Sequence, residues 1–215
     1  MMADNLTANI HWLGHDSFRI QSKDMQIYID PYRLQGAPTK ADLILITHDH
    51  GDHCSPADVA KIQKADTAIV TIQAGAAKLK GDLHIVRPGE SLTVKGIPIQ
   101  TVPAYNLNKF RQPGVPFHPP ESSHVGYIFT VEGVRIYHAG DTDFIPEMKS
   151  IHVDVALLPV SGTYTMTAEE AAQAANAIQP RVAVPMHIGR EIGEMSAAQR
   201  FKQGASVPVE ILAME

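Results

Sequence analysis

The stretch Thr47-His48-Asp49-His50-Gly51-Asp52-His53 sets three imidazoles and two carboxylates side by side. Imidazole nitrogen and carboxylate oxygen are the donors that divalent zinc takes at about 2.0 to 2.2 Å. The cluster begins where a short aliphatic run, Leu43-Ile44-Leu45-Ile46, ends. Ligands at the C-terminal end of a buried strand can be aimed into one cleft without distorting the sheet. The spacing also divides the donors. His48 and His50 are two apart and can point the same way, whereas Asp52 and His53 follow a turn that Gly51 permits. That division suits two neighbouring ions. A polar surface loop that happens to hold histidines is the rival reading, and it fits a lone histidine better than three with an aspartate between them.

Other reactive side chains carry weaker signals. The chain holds 11 histidines. Either His15 reaches the cleft from the first hairpin and His138 supports Asp141 from behind, or each is satisfied by backbone carbonyls. His11, His84 and His152 have no motif around them and read as surface or edge residues. Lys109, Arg111 and Arg190 fall in expected loops near the cleft, where they would meet an anionic substrate group or simply be solvated. Glu169-Glu170 decorates the positive end of a helix dipole. Ser161-Gly162-Thr163-Tyr164-Thr165 precedes the same helix as a capped turn or a phosphate cup. Cys54 reads as a buried, unreactive thiol.

The elements that must position these residues are legible in outline. Strands are expected at Ile10 to Leu13, Ser17 to Ile20 and Gln26 to Asp30, and a short apolar one at Leu43 to Thr47. Ser55, Pro56 and Asp58 mark the start of a helix. Further strands fall at Thr67 to Ile72 and Leu83 to Val86, with a short helix around Ala74 to Leu79 between them. Two strands share Ser91 to Val102 across Lys95-Gly96. Val125 to Val131 and Val134 to Tyr137 form a hairpin across Glu132-Gly133, and Val153 to Leu158 is another buried strand. Thr167 caps a helix from Ala168 to Ile178, Arg181 to Val184 is a strand, Ser196 caps a last helix, and Val209 to Leu212 ends the chain as a strand. Residues Ala104 to His124, rich in proline, show no period, and a loop that long is more often functional than idle. Strands followed by alternating helices and strands give an α/β (α+β) class with two sheets and helices outside them.

Composition is that of one ordinary domain spanning residues 1–215: 44% hydrophobic, 19% charged, net charge −5. The acidic balance argues against a nucleic-acid partner. A single cysteine rules out an internal disulfide and fits a reducing cytoplasm. Met1 to Leu6 lacks the basic and apolar regions of a leader, and no apolar run is long enough to span a membrane.

His48-Asp49-His50-Gly51-Asp52-His53 resembles the H-x-H-x-D-H signature of the metallo-β-lactamase superfamily. Ile29-Asp30-Pro31 resembles that superfamily's first motif, Tyr137-His138-Ala139-Gly140-Asp141-Thr142 its fourth and Val184-Pro185-Met186-His187 its fifth. Trp12-Leu13-Gly14-His15, with the fourth motif, is similar to the ascorbate-6-phosphate lactonase-like branch and the uncharacterised metal-dependent hydrolases beside it. The resemblance implies a four-layer αββα sandwich, the metallo-β-lactamase fold, with two divalent ions at one edge, zinc or manganese foremost and iron admitted. It assigns His48 and His50 to the first ion, Asp52, His53 and His187 to the second, Asp141 between them, and Asp30 behind a ligand imidazole. The family's third histidine for the first ion falls here at Asn106, a poor zinc donor that harder ions such as manganese tolerate better. His118 or His124 would compensate, with His118 ranked slightly above Asn106.

The chemistry implied is hydrolysis of a small ester, lactone or phosphodiester by a water whose pKa the ions lower toward about 7. Asp52 would orient that water, and His15 or His118 would protonate the leaving oxygen. The expected partner is a small molecule, with an anionic one allowed, rather than nucleic acid or membrane. A nuclease or phosphodiesterase is the alternative. A redox di-metal protein is the third, opposed by histidine at position 50 where redox relatives carry glutamate.

Overall fold

In the computed structural model, residues 6–215 are described, so the expectation of no leader at residues 1–5 lies outside them. The first sheet opens with β1 (Ile10–Gly14), β2 (Ser17–Gln21) and β3 (Gln26–Ile29), an antiparallel set. It continues in parallel through β4 (Leu43–Leu45), β5 (Ala68–Thr71) and β6 (Asp82–Ile85). Strand alternation sorts the side chains. Ile27, Ile29, Leu43 and Leu45 enter the main core, while Tyr28 and Ile44 face a second cluster on the outer side. There they meet Val59 and Ile62 of α1 (Pro56–Ile62) and Leu79, just past α2 (Gln73–Ala76). The Ser55 hydroxyl accepts from the Asp58 amide at 3.3 Å, as the Ser-Pro-x-Asp pattern leads one to expect.

The second sheet contains β7 (Ser91–Val94) and β8 (Ile97–Pro103). A separate small hairpin, β9 (Phe110–Gln112) and β10 (Val115–Pro116), follows outside it. Then come β11 (Val125–Val131), β12 (Val134–His138), β13 (Val155–Pro159) and β14 (Val182–Met186), in the spatial order β14-β13-β12-β11-β8-β7. Its outer face is covered by α3 (Ala168–Ile178), whose buried Ala168, Ala171, Ala172, Ala174 and Ala175 permit close approach. A capping box closes the start of α3: Thr167 Oγ1 accepts from the Glu170 amide at 3.2 Å and the Glu170 carboxylate accepts from the Thr167 amide at 2.8 Å. Beside it α4 (Met195–Gly204) buries Ala197, Ala198 and Phe201. Helix, sheet, sheet and helix make the αββα sandwich, and no helix among the described residues is long and apolar enough to cross a membrane.

Three expectations need correction. Residues 104–124 are not one irregular loop, because β9, β10 and a 3₁₀ turn at Pro120–Ser122 lie inside them. The last helix begins after Glu194, not Ser196, whose hydroxyl donates instead to the Glu194 carboxylate at 3.0 Å. Val209 to Leu212 is not a strand: Val209 makes one bridge to Ala183 on β14, and Met214 makes another to Trp12 on β1. The tail thereby touches the edge strands of both sheets, which shields edges that would otherwise offer unpaired backbone groups.

Candidate metal centre

The parallel strands β3, β4, β12, β13 and β14 end at the same edge of the sandwich, and the polar residues follow those ends. Asp30 comes after β3, Thr47 and His48 after β4, Asp141 after β12 and His187 after β14, while His15 and Asp16 form the β1–β2 turn. Gly140, immediately before Asp141, has φ +65° and lies so close to the Val125 carbonyl that a Cβ would sit 3.0 Å from it. A side chain there would push the Asp141 turn away from β11.

Donor atoms meet at ligand-like spacing. His48 Nε2 and His50 Nδ1 are 3.1 Å apart. Asp141 reaches both halves of the cluster: Oδ1 is 3.4 Å from His53 Nε2, and Oδ2 is 3.4 Å from His187 Nε2 and 3.3 Å from His118 Nε2. Two donors each about 2.0–2.1 Å from one ion sit roughly 3 Å apart, so these separations fit shared cations. His53 Nε2, His187 Nε2 and Asp141 Oδ1 are buried with no hydrogen-bond partner among the described residues. Burying such atoms unpaired is costly, and a divalent ion would satisfy all three. The residues present therefore fit the implied metal.

A layer of hydrogen bonds fixes which ring nitrogen faces inward. His53 Nδ1 donates to Asp30 Oδ2 at 2.8 Å. Thr47 gives its hydroxyl proton to the same oxygen at 2.6 Å and so accepts from His48 Nδ1 at 3.0 Å. Ser161 gives its proton to the Thr163 carbonyl and accepts from His187 Nδ1 at 2.8 Å. Asn106 Oδ1 accepts from the His118 amide at 2.8 Å and from His118 Nδ1 at 3.0 Å. Four imidazoles thus have Nδ1 engaged and Nε2 turned toward the centre.

Electrostatics agree with ligand duty. Burial holds His48 well below the ordinary imidazole range, lowers His118 and His124 to about 4, and with His53 and His187 nearby lowers His15 to about 2. All four are neutral at pH 7. Burial also opposes charge on His53 and Asp141, but their mutual attraction wins, together with Asp30 for His53 and His187 for Asp141. His53 is raised well above its usual value and Asp141 held well below. His187 is raised as well, Asp141 overcoming burial.

The residues expected at the site separate as follows. His48, His50, His53, Asp141 and His187 come together, with Asp52 beside them, its carboxylate 4.0 Å from His53 Nε2. Asp30 lies directly behind His53. Of the three candidates for the missing ligand, His118 and His124 both have donor atoms within 4.8 Å of that of His48, while both ends of the Asn106 amide are spent, its Nδ2 donating to Asp143 at 3.2 Å and to the Tyr164 carbonyl at 2.8 Å. Asn106 orients His118. His124 is close too, stacked 4.8 Å from His48, with Nε2 3.9 Å from Asp49. His138 is satisfied by backbone, Nε2 donating to the Asp16 carbonyl and Nδ1 accepting from Gly140. His15 has no such partners. Lys109 is tied to Glu170 at 2.7 Å, and Arg190 donates to the Leu13 carbonyl. Arg111 alone of the three cations lines the cleft. Burial pushes the Cys54 thiol up to about 11, which leaves it unreactive. Sequence reasoning missed Asp16, and it missed Thr47 and Ser161 as supports, since only the strand order brings them under the ligands.

A two-sheet sandwich with a histidine–aspartate nest at its strand ends is the framework of a metallo-hydrolase domain. Residues 9–187 match the beta-lactamase superfamily domain. A UPF0173 metal-dependent hydrolase from Methanopyrus kandleri is 35% identical over 196 residues, 84% of this chain and 84% of its own. A crystal structure from Parabacteroides distasonis, assigned to the metal-dependent hydrolases, superposes with a TM-score of 0.83 at 35% identity, covering 96% of this chain and 93% of that one. A metallo hydrolase from the archaeon Ignicoccus hospitalis gives 0.74 at 26% identity, with 94% of each chain covered. The chain belongs to the metallo-β-lactamase superfamily and is an enzyme of its metal-dependent hydrolase class.

Proposed function

We propose that the chain is a dinuclear hydrolase of a small ester, lactone or phosphodiester, working in the cytoplasm with zinc or manganese, or with iron. The observation that carries this reading is the set of four imidazoles, His48, His53, His118 and His187, each with Nδ1 held by an acceptor and Nε2 left for a cation. Two such ions supply a nucleophile from water at neutral pH and polarise the bond under attack.

The remaining work falls to the chain. A cleft of about 490 Å³ opens over His50, Asp52, His118 and Asp141. Asp52, with its side chain 30% exposed against 4% for Asp141, is the more open carboxylate of this cleft and can take a proton from the attacking water. Phe117 and Tyr164, with ring centroids 4.6 Å apart, form an apolar wall. Arg111 lies over the Phe117 ring and donates to the Phe117 carbonyl at 3.0 Å, which holds its guanidinium at the rim for an anionic group of the substrate. A small molecule fits such a walled cleft, and the net charge of −5 weighs against nucleic acid.

The test is elemental analysis of protein purified without added metal, followed by turnover of a panel of lactones, esters and phosphodiesters. His50→Ala should abolish metal-dependent hydrolysis without unfolding the chain. Retained turnover in that variant, with its metal content measured, would defeat the assignment.

A further inference from the structure

The β1–β2 turn holds two buried polar side chains that the sheet does not explain. His15 and Asp16 are both 0% exposed. Neither ring nitrogen of His15 and neither carboxylate oxygen of Asp16 has a hydrogen-bond partner among the described residues. Burying such atoms unpaired is costly, and more so when they are charged.

Three backbone groups of the same turn are tied into the surrounding structure. The His15 amide donates to the Ile188 carbonyl at 2.9 Å, and the His15 carbonyl accepts from Trp12 Nε1 at 2.9 Å and from the His187 amide at 3.2 Å. The Asp16 carbonyl accepts from His138 Nε2 at 2.9 Å. His15 is moreover held at φ 57°, in the left-handed region. A turn so firmly tied, with its side chains unpaired, is built to present them to something.

What they face is the second half of the centre. His15 Nε2 is 3.5 Å from Asp52 Oδ2, and its ring lies 4.9 Å from that of His53 and 4.6 Å from that of His187. The donor nitrogens of His15, His53 and His187 lie within 4.8 Å of one another, and Asp16 joins His53, Asp141 and His187 in a second group of the same kind.

We propose that His15 is a direct ligand of the second ion, binding through Nε2 beside Asp52, His53, Asp141 and His187, with the Asp16 carboxylate balancing the charge from behind. This rests on the dinuclear reading above. A fifth protein donor exceeds what a tetrahedral zinc site uses and suits an ion that takes six ligands, such as Mn(II) or Fe(II).

The experiment strips the full chain with chelator, refills it with Co(II), and compares wild type with His15→Gln, Asp16→Asn and the control His84→Gln on β6. Wild type and control should take two ions per chain. His15→Gln should keep the first affinity, weaken the second by at least about tenfold, and intensify the visible Co(II) absorption as the coordination number falls. Asp16→Asn should weaken the second ion and leave the absorption unchanged. A His15→Gln protein with both wild-type affinities and the wild-type spectrum overturns the proposal. A wild-type chain that takes no cobalt overturns the metal reading itself, so the two failures are distinct. Should His15→Gln not fold, wild type labelled with nitrogen-15 histidine and loaded with cadmium-113 decides: scalar coupling at His15 Nε2 supports the assignment, and its absence overturns it.

Discussion

Replacing Asp30 by asparagine should loosen the second ion and also cost the metal-free fold a free energy at least as large. The carboxylate is fully buried and receives three donors, the Thr47 amide at 2.8 Å, the Thr47 hydroxyl at 2.6 Å and His53 Nδ1 at 2.8 Å. Asparagine has the same shape but only one oxygen. If that oxygen keeps the Thr47 amide, its NH₂ faces His53 Nδ1–H and the Thr47 hydroxyl, donor against donor. His53 must then move its proton to Nε2, the nitrogen that faces Asp141. Loss of such an orienting partner costs about 10–100-fold in metal affinity, or roughly 1.4–2.7 kcal/mol. The metal-free chain should lose about 1.5–3 kcal/mol per charge-assisted bond broken, and its melting temperature roughly 2–4 °C per kcal/mol. Affinity is therefore read at 25 °C by competition with a chelator, on protein whose circular dichroism matches wild type. Thr47→Val is the companion variant. It removes the acceptor of His48 Nδ1 and leaves His53 on Asp30, so the first ion should weaken and the second should not. An Asp30→Asn protein that folds and binds both ions as tightly as wild type would show that the hydrogen-bond layer does not set the tautomers.

Ser161→Ala should weaken the second ion by about tenfold by freeing His187 Nδ1, with little change in melting temperature of the metal-free form; unchanged affinity in a chelator competition would contradict the role given to Ser161. Metal uptake should release protons, because His53 and His187 are raised above their ordinary values by Asp141 and must shed protons to bind; titration calorimetry in buffers of different ionisation enthalpy should register that release, and affinity should rise with pH. Asp58 accepts from the amides of Arg33 and Leu34 and from Ser55 and Lys61. Burial works against its charge, but these partners hold its carboxyl below the usual range. Its contribution is thus present above the unfolded value of about 3.9 and fades as pH falls through the lower folded value. Denaturant melts should find Asp58→Asn weaker by about 1–3 kcal/mol at pH 7, with the gap closing below about pH 4.

Local pattern carried much of this. The nest from His48 to His53 was readable because adjacent residues supply its donors, and α3 because Thr167, Glu170 and the alanine spacing all state one helix. What stayed hidden depends on strands far apart in sequence. Nothing near Ser161 says that β13 and β14 will lie side by side and set its hydroxyl under His187. Nothing in the proline-rich stretch says that Asn106 and His118 will bond to each other, which turns an apparent substitute ligand into the support of the true candidate. For His138 residue types left two readings open, support behind Asp141 or satisfaction by backbone, and both its ring nitrogens are taken by backbone.

Backbone strain is the other feature that residue types conceal. His15, Asp30 and His187 sit at φ 57°, 44° and 58°, where glycine would be the easier choice. Such conformations cost about 1–3 kcal/mol each and persist only where the surroundings over-determine them. Here they do: the Asp30 amide donates to the Leu45 carbonyl, and the amides and carbonyls of His15, His187 and Ile188 interlock. All three strained residues have side chains in or directly behind the donor cluster, and glycine would relax the backbone only by removing the imidazole or carboxylate. The sandwich therefore accepts local strain at the ends of its strands because the chemistry requires a side chain at those places, and its large buried core is what makes that tolerable.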